Sequence, residues 1–197
     1  MTTSHSADVL QAQRTARLTR IRRVSRFMKW FVTCVLLLLV AVGLLLSALL
    51  VFPGPFEAMN EMMDLGEVER RLGDVPLVQR AGVSALVVIS FGILVGICWQ
   101  IRQLFEFLRQ GDYFSPRTLF RFVGIGGWLI AFGLLDVLTD PLMTLLFTLD
   151  LPEGQRQLDL TIDGGELFFI VIGSLMIVFG WTLREAAEIA DENRQFI

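Results

Sequence analysis

Two aspartates in a long apolar stretch are the residues whose types and spacing best suit chemistry. Asp136 and Asp140 are four residues apart, a spacing that places both side chains on one face of a helix. A carboxylate inside a membrane is unfavourable and commonly marks a proton or ion pathway. A protonated Asp136 that bonds to a serine or threonine would satisfy the same requirement, and Asp140, before Pro141, suits a hydrated position at the outer membrane surface. The pair therefore has two interpretations, a transport role and a structural or interfacial role.

A second group of charges lies at the ends of the apolar stretches. Acidic side chains cluster near the C-terminus, at Glu185, Glu188, Asp191 and Glu192, and Asn193 follows as a residue suited to capping. Basic side chains flank a central turn, at Arg109, Arg117 and Arg121. If both groups reach the same membrane face, they can form an ion-paired clasp. The alternative is a solvated helical face, because exposed ion pairs contribute only about 0–1 kcal/mol each.

Motifs that would indicate catalysis or metal binding are missing from the sequence. It contains no P-loop, no HExxH motif and no GxSxG motif. His5 is the single histidine, and Cys34 and Cys98 both lie within apolar stretches, where cysteine is usually a small packing residue. We therefore predict a protein that is not an enzyme, with no catalytic residue, metal ligand or bound cofactor.

The elements that must position these charges are membrane helices. Of the 197 residues, 54% are hydrophobic, against about 45–50% in soluble domains, and the mean hydropathy is +0.62. The excess is gathered into blocks long enough to cross a bilayer about 30 Å thick. The predicted spans are residues 28–52, 79–100, 118–140 and 165–183. The expected fold is an all-α, four-transmembrane-helix bundle, in a membrane domain of residues 28–197.

The third apolar block is too long for one span. A straight helix from Leu119 to Leu149 would measure about 45 Å, and Asp140 and Pro141 interrupt it, so we expect the span to end near residue 140. Apolar and polar residues then alternate on both sides of the turn sequence at 152–155. This predicts a small extracytoplasmic amphipathic β-hairpin at about residues 146–162. A kinked helical extension through Phe147 is the alternative.

The turn between the second and third spans carries the most specific local pattern of the chain. Gly111 suits the left-handed residue that closes a helix, and Ser115 followed by Pro116 suits an N-cap and a first helical position. Tyr113 and Phe114 lie between them and are expected at the membrane interface. The pattern predicts a tight helix–turn–helix corner.

The basic residues predict the orientation in the membrane. Seven of the seventeen lie between Arg14 and Lys29, so residues 1–27 form a basic arm that is expected to lie on the anionic cytoplasmic leaflet. Direct nucleic-acid binding is the alternative for this arm and is not expected. The central turn is also basic, whereas the other two loops hold few basic residues. The positive-inside rule then places both termini and the turn in the cytoplasm.

Two segments resemble a known bacterial family. One is Gly111-Asp112-Tyr113-Phe114-Ser115-Pro116, followed by a basic helix start and a glycine-rich span, and the other is the C-terminal stretch from Glu188 to Ile197. Together they are similar to the domain of unknown function 2975 family, over roughly residues 30–197. The resemblance implies a small four-span protein of the bacterial inner membrane with no assigned activity. Some members are encoded beside a small helix-turn-helix regulator, which implies a regulatory pairing.

These observations favour a non-enzymatic regulatory or interaction protein over other classes. It would present the central turn and the acidic C-terminal tail to a cytoplasmic protein partner, and a small helix-turn-helix regulator is the partner that the resemblance implies. The alternative is a small transporter or channel component that uses Asp136. Gly92 and Gly96 form a GxxxG pattern that allows close helix approach, within the bundle or between copies in a homo-oligomer.

Overall fold

Four long helices make up the fold. The computed structural model describes residues 2–52, 54, 63–65, 68–70, 72–112, 115–152 and 164–195. The helices are α1 (Thr2–Val51), α2 (Leu77–Gln110), α3 (Pro116–Thr148) and α4 (Gly164–Gln195). Between α1 and α2 lie two three-residue strands, β1 (Met63–Leu65) and β2 (Val68–Arg70), and a 3₁₀ turn at Leu72–Asp74. The strands pair antiparallel, with Asp64 opposite Glu69.

The predicted class, an all-α fold with four membrane-spanning helices, is confirmed. Each long helix contains a stretch long and apolar enough to cross a membrane, namely Arg23–Val51, Leu77–Gln110, Pro116–Thr148 and Gly164–Ile189. The predicted basic arm and the first span lie in one continuous helix, since no proline occurs before Pro53. Large apolar side chains on the helix surfaces, such as Leu37, Leu44 and Phe179, are exposed. The chain is therefore a multi-pass membrane protein whose helices carry exposed apolar faces.

The helices pack in chain order, α1 on α2, α2 on α3 and α3 on α4. Successive helices run in opposite directions, because contacts that advance along one helix go back along the next. The pairs of contacts are Lys29–Glu106 and Ser47–Ser84 for α1 and α2, Gln100–Arg121 and Gly82–Leu146 for α2 and α3, and Gly126–Gly173 and Gly133–Glu166 for α3 and α4. The end of the bundle that holds the Gly111 turn is here called the turn end, and the opposite end is called the loop end. The C-terminal part of α4 therefore lies at the turn end, as the clasp hypothesis requires.

Glycines set the distance between α3 and α4. A Cβ atom added at Gly126 would lie 2.5 Å from the Gly173 carbonyl oxygen, and one added at Gly133 would lie 2.8 Å from the Glu166 carbonyl oxygen. Such distances are too short for any side chain, so these positions require glycine for backbone contact, as in other membrane helix pairs. The GxxxG pair of α2 behaves differently, because Gly96 packs on Trp128 whereas Gly92 has open space beside it.

The predicted end of the third span and the predicted hairpin are wrong where the structure describes them. Helix α3 continues through Pro141 to Thr148, so residues 146–148 are helical, as in the alternative of a helical extension. Proline removes one backbone donor, the one that would bond to the Val137 carbonyl oxygen four residues earlier. Prolines are tolerated inside membrane helices, where neighbouring helices and local adjustments satisfy the freed group. One turn later, the Thr144 hydroxyl donates to the carbonyl oxygens of Asp140 (3.0 Å) and Pro141 (3.1 Å) within the continuing helix. The rest of the predicted hairpin, residues 153–163, lies outside the described residues.

A small apolar core at the loop end explains why α3 extends so far. Phe147 is buried with Val83 of α2 and Val75 of the preceding loop. Four partly buried apolar residues surround them, Leu50, Leu72, Met143 and Leu146. Helical geometry is needed to bring Met143, Leu146 and Phe147 to one side, because residues three and four apart share a helix face. A strand would turn Leu146 and Phe147 to opposite faces.

Candidate functional site at the turn end of the bundle

The corner between α2 and α3 begins with a glycine in the left-handed conformation. Gly111 has φ 87°, and it is the one positive φ recorded among the described residues. Its N–H donates to the Leu108 carbonyl oxygen (3.2 Å), and the Asp112 N–H donates to the Phe107 carbonyl oxygen (3.1 Å). These bonds satisfy carbonyl groups at the end of α2 that have no partner within the helix. The predicted helix closure at Gly111 is confirmed.

Side-chain bonds fix the start of α3. Ser115 is the N-cap, and its Oγ accepts from the Thr118 N–H (3.3 Å) and donates to Asp112 Oδ2 (2.6 Å). The fully buried Thr118 donates its hydroxyl to the Asp112 carbonyl oxygen at 3.0 Å. Pro116 occupies the first turn, where its missing N–H is not needed. The predicted cap is confirmed, and Asp112 joins it as a second anchor of the corner.

Glu106 is the centre of an ionic cluster that joins α1 to α2. Its Oε2 accepts from Lys29 Nζ at 2.8 Å, and its Oε1 accepts from Arg109 at 2.6 Å and from Gln110 Nε2 at 3.1 Å. The Lys29 and Glu106 side chains are only about one-quarter exposed. Charge-assisted bonds of this kind are stronger than neutral ones. The cluster therefore fastens α1 to the helix that leads into the turn.

Two further arginines are also used within the bundle. Arg121 of α3 donates to Gln100 Oε1 of α2 at 2.5 Å. The Arg102 Nε donates to the Thr33 hydroxyl of α1 at 3.1 Å, and its guanidinium lies 5.3 Å from the centre of the Trp99 ring. A cation over an aromatic face is an attractive arrangement. Basic residues around the turn therefore tie α2 to both of its neighbours.

The predicted clasp between the turn and the tail is not formed among the described side chains. Glu188 accepts from Arg184 of its own helix at 2.8 Å, and Arg121 is bound to Gln100. Arg117 and Glu192 are exposed. The structure thus brings the predicted residues to one end of the bundle, where Arg121 is used within the bundle and Arg117 and Glu192 lie on the surface. Tyr113 and Phe114, and the Asn193 side chain, lie outside the described residues.

The two aspartates of α3 lie toward the loop end. Asp136 is half-buried and Asp140 is exposed, both within the continuous helix. A third carboxylate comes from α4, where Glu166 is 6% exposed and its Oε2 has no hydrogen-bond partner among the described residues. Glu166 backbone approaches Gly133, one turn before Asp136, and helical side chains lean toward the helix N-terminus. The Glu166 carboxylate therefore points toward the level of Asp136.

Metal binding finds no support in the described part of the chain. No group of three or more histidine, cysteine, aspartate or glutamate side chains there has an arrangement that could hold a metal ion. The absence concerns residues 23–52, 72–112, 115–152 and most of 164–192, whose side chains the structure describes.

Comparison with known families identifies the family to which the chain belongs. Residues 27–197 match the family model described as "Protein of unknown function (DUF2975)". The chain belongs to this family. The match confirms the resemblance and begins close to the predicted boundary between the basic arm and the membrane domain. No curated protein and no solved structure matches the chain. The family description assigns no activity, and the membrane character of the chain comes from its four long apolar helices.

The roles of Glu106, Gln100 and Glu166 were not predicted from the sequence. Glu106 and Gln100 each accept a hydrogen bond from a neighbouring helix, whereas Glu166 Oε2 is buried without a hydrogen-bond partner among the described residues. For Glu106 a local signal exists, because Arg109 and Gln110 follow it at the helical spacings of three and four residues. For Gln100 and Glu166 the sequence alone holds no such signal, since their surroundings depend on which helices are adjacent.

Proposed function

We propose that this DUF2975 protein is a non-enzymatic regulatory protein of the bacterial inner membrane. Its turn end faces the cytoplasm and binds a cytosolic protein there. Both termini lie on that side, and the loop end faces outward. The four helices act as an anchor that holds this surface at the membrane.

The proposal rests on one observation: some charged side chains of the turn end are paired within the bundle, and others are exposed on its surface. Lys29, Glu106, Arg109 and Arg121 are committed to contacts within the bundle. Arg117, Glu185 and Glu192 are exposed, and Glu188 is more than half exposed even with its Arg184 partner. The first set accounts for the stability of this end. The second set contributes little to stability and supplies the charges that a partner would recognise.

The orientation follows from the positive-inside rule. The basic arm between Arg14 and Lys29 leads directly into the turn end, where Arg102, Arg109, Arg117 and Arg121 also lie. Basic residues near short loops are retained in the cytoplasm. Single cysteines placed at Arg117 and at Asp74, in a chain whose two native cysteines are changed to alanine, test this orientation. A reagent that does not cross membranes should label position 74 in intact cells and position 117 only after the membrane is opened.

The chemistry of the α4 end indicates a partner with a basic surface. Glu185, Glu188 and Glu192 are spaced three and four residues apart, so they share one face of α4. A helix-turn-helix regulator, the partner implied by the family resemblance, carries such a surface where it binds DNA phosphates. The acidic face would compete with DNA for that surface. Binding to the membrane protein and binding to DNA would then exclude each other.

Affinity capture from native membranes tests the partner. We expect wild-type protein to retain a cytosolic DNA-binding protein, and operator DNA to release it. The double variant E188Q/E192Q should retain about tenfold less, since two exposed charges contribute roughly 1.4 kcal/mol together. The matched control is D140N, which removes an exposed carboxylate at the loop end and should retain the partner fully. Equal retention by both variants would refute the acidic face as the binding surface.

A second function, proton passage, is favoured by the buried Glu166 carboxylate beside the level of Asp136. Two carboxyl groups on adjacent helices can share or exchange a proton, as in proton pathways of membrane proteins. In vesicles that contain the purified protein, a proton gradient should decay faster than in empty vesicles. D136N should remove this difference, and D140N should keep it. No difference between wild-type and empty vesicles would exclude the function.

A further inference from the structure

The acidic face of α4, made of Glu185, Glu188 and Glu192, has a counter-charge on its own helix. Arg184 Nε donates to Glu188 Oε1 at 2.8 Å, four residues along the chain. The same arginine precedes Glu185 and interacts electrostatically with it. Glu192 is exposed and lies in the last turn of α4, more than two turns beyond Arg184. Arg184 therefore neutralises the part of the face nearer the bundle and leaves Glu192 without a counter-charge among the described residues.

The Arg184–Glu188 pair is of a kind that another cation can displace. The two side chains are 64% and 55% exposed, and exposed pairs contribute little to stability. The arginine precedes the glutamate, which is the weaker order for a pair four residues apart on a helix. This order also places the glutamate nearer the negative end of α4. The contact therefore forms in the free protein without fixing either side chain permanently.

A basic partner would meet Arg184 at one of the carboxylates that it binds. An arginine of the partner binds a carboxylate most strongly through both oxygen atoms, and Arg184 holds one of the two oxygens of Glu188. The partner's cation would also meet the like charge of Arg184, whose side chain contacts Glu188 and precedes Glu185. Both effects oppose binding at Glu188. Neither of them acts at Glu192, which lies farther along the helix.

We propose that Arg184 is an autoinhibitory residue of the acidic face. It holds Glu188 in the free protein, and a basic partner binds the whole face only when Arg184 releases this carboxylate. A partner with a single basic group gains Glu192 alone. A partner whose basic groups match the spacing of the face can also displace Arg184, so the contact favours a patterned basic surface over an isolated cation. The inference rests on the proposed function, because it concerns the regulation of the same face.

Binding of a synthetic peptide to the full chain, in micelles of an uncharged detergent, tests the proposal by fluorescence anisotropy. The probe is a labelled, alanine-based helical peptide with arginines at positions i, i+3 and i+7, the spacing of Glu185, Glu188 and Glu192. R184Q should bind the probe about twofold more tightly than wild type, the factor that corresponds to one helical ion pair. E188Q should bind it more weakly. In the E188Q background, R184Q should lose most of its effect, because no pair is left to release.

The matched control is R26Q, which removes an exposed arginine of α1 at the same end of the bundle. Helix α1 packs on α2 rather than on α4, and exposed charges more than about 8 Å apart are largely screened at about 0.15 M salt. R26Q should therefore bind the probe as wild type does.

Two results would overturn the inference while E188Q/E192Q still weakens binding. One is a gain in R184Q no larger than in R26Q, and the other is a gain that the E188Q background leaves undiminished. Either result would leave the proposed partner binding intact. Equal binding of the probe by wild type and E188Q/E192Q would instead refute the acidic face as a binding surface, and the autoinhibition with it.

Discussion

Lys29 and Glu106 lie 77 positions apart in the chain, and their side chains meet at 2.8 Å. The contact joins α1 to α2 at the turn end, where the basic arm enters the membrane domain. Glu106 also holds Arg109, the residue two positions before the Gly111 corner. The same carboxylate therefore connects the first span to the corner, and its removal should loosen both.

E106Q should lower the free energy of unfolding by about 1–2 kcal/mol, because Lys29 and Arg109 both lose a charged acceptor. Denaturant unfolding in mild detergent, followed by circular dichroism, measures the change. A double-mutant cycle with K29Q should give a coupling energy of about 0.5–1 kcal/mol. The control E192Q changes an exposed glutamate of α4 and should stay within about 0.5 kcal/mol of wild type. An effect of E106Q no larger than that of E192Q would show that the cluster does not stabilise the bundle.

G111A should destabilise the corner by about 1–2 kcal/mol, because a Cβ atom is unfavourable in the left-handed conformation that φ 87° represents. G111N should cost less, since asparagine tolerates this region better than alanine. The comparison variant is G127A, at a helical glycine with open space beside it. Alanine favours a helix by up to about 1 kcal/mol over glycine, so the two alanine variants should shift thermal unfolding in opposite directions. Shifts of the same sign would contradict the assigned turn.

G126A should disrupt the α3–α4 contact, because its new methyl group would lie 2.5 Å from the Gly173 carbonyl oxygen. Overpacking of this kind costs about 1–3 kcal/mol. G92A meets open space and should be neutral or slightly stabilising, although Gly92 belongs to the GxxxG pattern that the sequence makes conspicuous. A cysteine pair across α3 and α4, whose rate of crosslinking reports their distance, should respond to G126A and not to G92A. A larger response to G92A would place the close helix contact on α2 instead.

The sequence predicts the helices well because apolar blocks and cap residues are local signals. Gly111, Ser115 and Pro116 fix the corner through contacts within a few residues, and the structure reproduces each of them. The four blocks are apolar enough to identify without any knowledge of their neighbours. Fold class and the architecture of the corner are therefore readable from composition and spacing.

The side-chain contacts that join different helices cannot be predicted from the sequence in the same way. The clasp hypothesis assigned Arg121 to the acidic tail because opposite charges reach one end of the bundle, but Arg121 donates to Gln100 on α2 instead. Arg184 satisfies Glu188 from four residues away in its own helix. The sequence predicts the sign of each charge and the end of the bundle at which it lies. Which side chains pair depends on which helix faces are adjacent, and on whether a partner is already present a few residues away in the same helix.

The third helix shows how a rule for soluble proteins fails in a membrane. Proline ends most helices in water, yet Pro141 is buried within α3 and the helix continues for seven residues to Thr148. F147A tests this extension. If Phe147 is the centre of the loop-end core with Val75 and Val83, the variant should lose roughly 3 kcal/mol of unfolding free energy. L149A removes a half-exposed leucine just beyond the helix and should lose less than about 1 kcal/mol. Equal losses would instead fit the hairpin, in which Phe147 and Leu149 occupy the same face of a strand. The comparison therefore decides between the helix and the strand for this segment.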